Sequence, residues 1–336
     1  MLSVPKRLLL LGLIHCLTGC YYWQAAQGQW SLSRSKEPIA EVLAAEAVDP
    51  EVQRKLALVQ EAVAFAHDTL QLPDNGSYRH YVDLQRGYVV VNVFAAPEFS
   101  LQPETWCYPF AGCLAYRGYF DAADANRKAE ALSERGFDVT TRRVPAYSTL
   151  GKLRDPVVST MLTRSDAGLV SLIFHELAHQ VIYVGDDTAF NESFATAVAE
   201  IGLDRWRQSG RDAGEPVATS NRVLRQRLLA LISGLRADLK TLYATELSEA
   251  EKRERKHTLF ATLAENWREA GARSRPPHNN AALVPVSLYN DLTPAFVALY
   301  RQHGSDMAAF FNAVKRLGDM DRKARDAALV ALMPGD

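Results

Sequence analysis

From Ser165 to Val184 the chain reads "SDAGLVSLIFHELAHQVIYV". The stretch is apolar on nearly every face at a helical period, so it predicts a helix buried all round. His175, Glu176 and His179 interrupt it. Placing two imidazoles and a carboxylate among leucine, isoleucine and phenylalanine is costly unless something satisfies them. At i and i+4 the two histidines project from one helix face, one turn apart. That spacing lets two ring nitrogens reach one zinc ion. Glu176 points to the same open side, where it can take a proton from zinc-activated water as general base. The alternative is a pair of core histidines bonded to backbone carbonyls.

A catalytic zinc takes a third protein ligand and leaves a position to water. The acids that follow are Asp186, Asp187, Glu192 and Glu200. If "GDD" centres a turn near Asp186 between two antiparallel helices, Glu192 stands beside His179. Glu200 falls level with a position before His175, and the aspartates stay in the turn. Glu192 is therefore the expected third ligand to one Zn2+ per chain. A donor to the developing oxyanion is also needed. Tyr289 is the first candidate, with Tyr147 and His278 as others, and each can equally be a structural residue. Arg117 can pair with a substrate carboxylate or belong to an internal ion pair.

The N-terminus predicts where such a site would work. "MLSVPKRLLLLGLIHCLTGC" has cationic Lys6 and Arg7, an apolar run from Leu8, and then small residues. This is a secretory layout, too short for an ordinary membrane span. Leu17-Thr18-Gly19-Cys20 resembles the bacterial lipobox, so residues 1–19 are expected to be a lipoprotein signal peptide and Cys20 the acylated residue. Residues 20–48 then form a lipid-anchored tether. Tyr21 stands where inner-membrane retention would place an aspartate, which favours the outer membrane, facing the periplasm. Cys107 and Cys113 are the cysteines left over, a disulfide candidate in an oxidising compartment or else two buried thiols. With 38 basic and 39 acidic side chains there is no phosphate-tracking patch, and nucleic acid is not an expected partner.

The remaining chain, 49–336, reads as one α+β, predominantly helical domain. Asp49 caps a helix that runs to Leu70 with Pro50 at its first position. "GYVVVNVFAA" (87–96) is a buried strand, and "LAYRGYF" (114–120) and "DVTTRRVPAYSTL" (138–150) are further strands. Between these two lies a helix over 121–136 that ends at Gly136. A second helix follows the "GDD" turn. A charged helical hairpin of about 204–272 is inserted after it, with Ser248 and Glu251 as a capping box. Two short helices close the chain.

The order of HExxH and then "NE" at 191–192 resembles the gluzincin metallopeptidases. It departs from them in the closeness of the second motif and in Thr196, where an acid usually stands. The acceptor that orients the first histidine is therefore open between Asp155, Glu200 and a backbone carbonyl. "YYWQAAQGQ", "VVVNVFAAPEFSLQPETWCYPFAGCLAYRGYF", "VPAYSTLGKLRDPVVSTML", "HELAHQ", "NESFATAVAE" and "NNAALVPVSLY" resemble, in order, a family of bacterial lipoprotein aminopeptidases. The resemblance implies a zincin-like domain that binds zinc and hydrolyses peptide or protein substrates beside a lipid bilayer. By the same analogy "VPAYSTLG" is an edge strand for an extended peptide. The G-x-M-E-N signature of well-known zinc aminopeptidases is absent. An envelope endopeptidase and a zinc-stabilised scaffold are the competing expectations.

Overall fold

The computed structural model describes residues 21–108, 112–146, 149, 153–211, 219–289 and 292–333, with the backbone alone given at 219–222, 225 and 286–289. Cys20, the segment before it and Tyr147 lie outside the described residues. The chain begins with helix α1 over residues 21–34, then β1 (Glu37–Pro38), α2 (Ile39–Ala44) and α3 (Pro50–Asp68). Asp49 caps α3 by accepting from the amides of Glu51 and Val52. Most of the stretch between Tyr21 and Val48 is folded and packs onto the body. Its inner face carries Gly28, where a Cβ would collide with the Phe120 ring, and the buried Leu32.

Strands β2 (His80–Val82), β3 (Val90–Pro97), β4 (Trp106–Tyr108), β5 (Gly112–Leu114), β6 (Arg117–Tyr119) and β7 (Phe137–Val144) follow, with α4 (Ala122–Ser133) before β7 and β8 (Val157–Val158) after it. They make three small sheets, ordered β1-β2-β8, β6-β3-β7 and β4-β5. Val91, Val93 and Ala95 of β3 pack toward α4, while Phe94 packs on the other face against Ala281 and Val284. A strand covered on both faces needs apolar residues at consecutive positions, which explains its unbroken run.

The stretch 114–120 is not one strand. Leu114 ends β5, which pairs with β4, and Arg117 opens β6, which pairs with β3. The chain changes sheets at Ala115 and Tyr116, so alternation alone could not show the break. β7 likewise stops at Val144, before Pro145, which has no amide to donate. Ala146 lies outside the strand, so the "VPAYSTLG" segment is not a continuous edge strand in its described part.

Helices dominate the rest: α5 (Asp166–Ala178), α6 (Thr188–Gln208), α7 (Thr219–Tyr243), α8 (Glu249–Glu269), α9 (Asn280–Tyr289), α10 (Thr293–Gln302), α11 (Met307–Gly318) and α12 (Arg322–Val330). The hairpin α7–α8 has its own small core around Leu239, Leu263 and Trp267, and the Ser248–Glu251 capping box is formed. α12 is a terminal helix beyond the two short ones expected to close the chain. The main core joins α3, α5, α6, α10 and α11 around Phe174, Phe194, Trp206, Phe296 and Phe310. Among the described residues no helix is long and apolar enough to cross a membrane.

Candidate active site

α5 is shorter than its apolar sequence suggests. It ends at Ala178 with His179 as C-cap, and the amides of Gln180 and Val181 turn back to the carbonyls of Leu177 and Ala178. Helix is not continued because Asn191 takes both backbone groups of Val184, each at 2.8 Å. Asp187 then caps α6 by accepting from Phe190 N. The last turn of α5 and the first turns of α6 are thus held face to face. Farther along, Gly202 of α6 leaves room for Phe174 of α5: a Cβ there would meet the ring at 2.6 Å.

This approach brings together residues seventeen positions apart. His175 Nε2 lies 3.3 Å from Glu192 Oε2, and His179 Nε2 lies 3.8 Å from Glu192 Oε1. The two rings stand almost perpendicular with centroids 4.9 Å apart. One donor atom from each of the three residues lies within 4.8 Å of the others. Glu176 is 8 % exposed and outside this trio. Of the competing acids, Glu200 is exposed on α6. Asp186 accepts from Cys113 N, and Asp187 pairs with Arg325.

Electrostatics follow from burial and from the carboxylates. Burial pushes Glu176 up to about 7, opposed by His175 and assisted by Glu192 and Asp155. Burial pushes His179 down to about 4. Burial would also depress His175, but its hydrogen bond to Glu192 and the charge of Glu176 raise it instead. Burial would raise Glu192, and the two histidines more than reverse this.

The donor set fits a zinc ion. Two imidazoles turn Nε2 toward one carboxylate in apolar surroundings, the nitrogen and oxygen mixture that such an ion takes. Among the described residues, buried His179 Nδ1 has no hydrogen-bond partner, so its ring is aimed from the Nε2 side alone.

Other expected participants lie elsewhere. Arg117 stacks over the Tyr21 ring at 3.8 Å in a cation–π contact. His278 is exposed and lines a surface cleft between α4 and β7. Tyr289 ends α9, with its side chain outside the described residues. Asp155 accepts from Thr149 at 2.8 and 2.9 Å and its charge helps to raise Glu176.

Residues not anticipated from sequence are coupled electrostatically to Glu176 or to the trio. Tyr116, at the sheet change, is raised by burial and by the charges of Glu192, Tyr183 and Glu176. Tyr183 is raised by burial and by Glu192. Tyr78 is raised by burial and by Glu176, and its buried hydroxyl has no partner among the described residues. Arg164 is an exposed cation whose charge reaches both His175 and Glu176. Tyr183 at i+4 from His179 could have been suspected from spacing. Tyr78 and Tyr116 come from distant segments without a local signal, whereas Arg164 directly precedes the Ser165 cap of α5.

The fold and site define a mainly helical α+β protein with a candidate metal centre of two histidines and one glutamate. Residues 20–329 match the family described as "Putative aminopeptidase", and the chain belongs to that family. No curated protein and no solved structure matches it.

Proposed function

We propose that this protein is a membrane-anchored zinc metallopeptidase that hydrolyses peptide bonds as an aminopeptidase. The observation that carries the reading is the convergence of His175, His179 and Glu192 beside buried Glu176. His175, His179 and Glu192 would hold the ion in a zincin-like, gluzincin-like arrangement. When bound, zinc would supply Lewis acidity, lowering the pKa of water and polarising a carbonyl. Glu176 would accept a proton from the attacking water at a carboxylate oxygen and return it to the leaving amine. Tyr116 would donate its hydroxyl to the developing oxyanion. Burial of Glu176 and His179 in an apolar wall would exclude competing water and strengthen these interactions.

The aminopeptidase label comes from the family. The chain would be tethered through acylated Cys20 to the bacterial cell envelope, at the outer membrane facing the periplasm. The Cys107–Cys113 disulfide suits that oxidising compartment. The test uses purified full-length protein. Bound zinc is quantified, and peptides with free N-termini and their acetylated twins are offered to wild type and Glu176→Gln. The expected result is one zinc per chain in both, with wild-type turnover of the free peptides alone. Cleavage of both sets would establish an endopeptidase. Zinc without turnover of either set would reduce the site to a scaffold, and absence of zinc would overturn the whole reading.

A further inference from the structure

Helix α1 is inverted in character. Its inner face joins the body through three contacts: Gly28 admits the Phe120 ring, Gln24 Oε1 accepts from Phe120 N at 3.2 Å, and Leu32 is buried in the main core. Tyr21 is held as well, under Arg117 and against the Tyr108 hydroxyl at 3.2 Å. The outer face carries Trp23 at 66 % exposure and Trp30 at 65 %, with Tyr22 at 49 % on the flank. Among the described residues these are the exposed large aromatic side chains, and all three stand on this one helix.

At seven residues apart, Trp23 and Trp30 project from the same side, separated by two turns. Ala26, Gln27 and Arg34 share that side and are exposed. Arg34 has no ion-pair partner among the described residues. Leaving two indoles in water on a helix otherwise fixed to the body is unfavourable, so the face is built for a partner. Indole and phenol rings with a nearby cation and few aliphatic residues are the composition of the membrane–water interface, where an apolar ring and a polar edge are both satisfied. The stripe also starts three residues after Cys20, the residue expected to carry acyl chains.

We propose that the outer face of α1 docks on a phospholipid bilayer, with Trp23 and Trp30 seated at headgroup depth and Arg34 on a lipid phosphate. Because the inner face is locked to the sheet, docking would fix the orientation of the whole domain on the membrane. An acyl anchor alone cannot do this, since it restrains one point. The inference does not depend on peptidase activity.

The test uses full-length protein on vesicles of phosphatidylethanolamine and phosphatidylglycerol, prepared with and without bromine-labelled acyl chains. Two of the five tryptophans stand on the face, while Trp206 and Trp267 are buried. Wild type is expected to show a blue-shifted emission on vesicles that bromine quenches. Trp23→Ser/Trp30→Ser should lose that quenched component while keeping its far-UV spectrum. Protein beginning at Tyr21, which lacks both Cys20 and the apolar segment before it, separates docking from anchoring: it should still show the quenched component when vesicles are in excess. Emission that is unshifted and unquenched, with or without acylation, would overturn the proposal. So would a blue shift already present without lipid in a dimer, which would assign the face to a second copy.

Discussion

Arg325→Met would remove the cation from the most deeply buried ion pair in the described structure. Arg325 and Asp187 are each 4 % exposed, and Nε and Nη2 of the arginine reach Asp187 Oδ2 at 3.0 and 2.7 Å. The same guanidinium donates to Met320 O at 2.9 Å, closing the end of α11. Removing one partner leaves a carboxylate buried without compensation, which costs about 3–5 kcal/mol. That is a large share of the roughly 5–15 kcal/mol that holds a typical domain. Asp187→Asn keeps the Oδ1 acceptor for Phe190 N but strands the arginine, so it should cost a comparable amount. The double variant strands neither charge and should recover about 0.5–3 kcal/mol of the summed losses. Urea unfolding followed by far-UV circular dichroism would give all four free energies, with equal slopes as the check on two-state behaviour. Single losses below about 1 kcal/mol that simply add would refute the reasoning, because the pair would then be solvated. The pair also fixes the start of α6, five residues before Glu192, so Arg325→Met should weaken zinc binding too.

Glu192→Ala should lower bound zinc from about one per chain to near zero, measured by metal analysis after dialysis; full occupancy would remove Glu192 from the ligand set. Tyr116→Phe should cut kcat roughly 100-fold with KM and zinc content unchanged, and an unaltered kcat would show that the hydroxyl does not meet the transition state. Asp166 is held down at about 2 by Arg54 and then Lys55. A depressed carboxylate stabilises above its unfolded pKa and loses this as pH falls through the folded value. The advantage of wild type over Asp166→Asn, roughly 1 kcal/mol after allowance for solvent screening, should therefore fade between about pH 4 and pH 2. A gap that widened on acidification would reverse the assignment. Gly112 sits at φ +70°, where a Cβ would meet Asp186 Oδ1 at 2.5 Å. Gly112→Ala should cost about 1–3 kcal/mol in thermal or urea unfolding, and a neutral result would mean that the β4–β5 ribbon does not rest on Asp186.

Much of the architecture was legible because its signals are local. The Asp49 cap with Pro50, the Ser248–Glu251 box and the apolar run of β3 are satisfied within one element or by simple burial. The convergence of His175, His179 and Glu192 was legible because a four-residue helical spacing and a short connection limit where the next acid can stand. The end of α5 was not: Ile182, Tyr183 and Val184 are as apolar as the helix before them, and the Asn191 side chain decides against helix from outside the segment. The break at Tyr116 was hidden for a similar reason, since β5 and β6 find partners in different sheets.

The sequence by itself therefore determined the buried helix with its histidines on one face, the acid that could join them and the family to which the chain belongs. Only the tertiary structure decided which distant side chains are coupled to that site, because Tyr78 and Tyr116 act on it through packing that no local period encodes. It also decided which face of α1 is left open. A helical period can align Trp23 with Trp30, but whether that stripe turns inward or outward depends on Gly28 meeting Phe120, a contact across ninety-two residues.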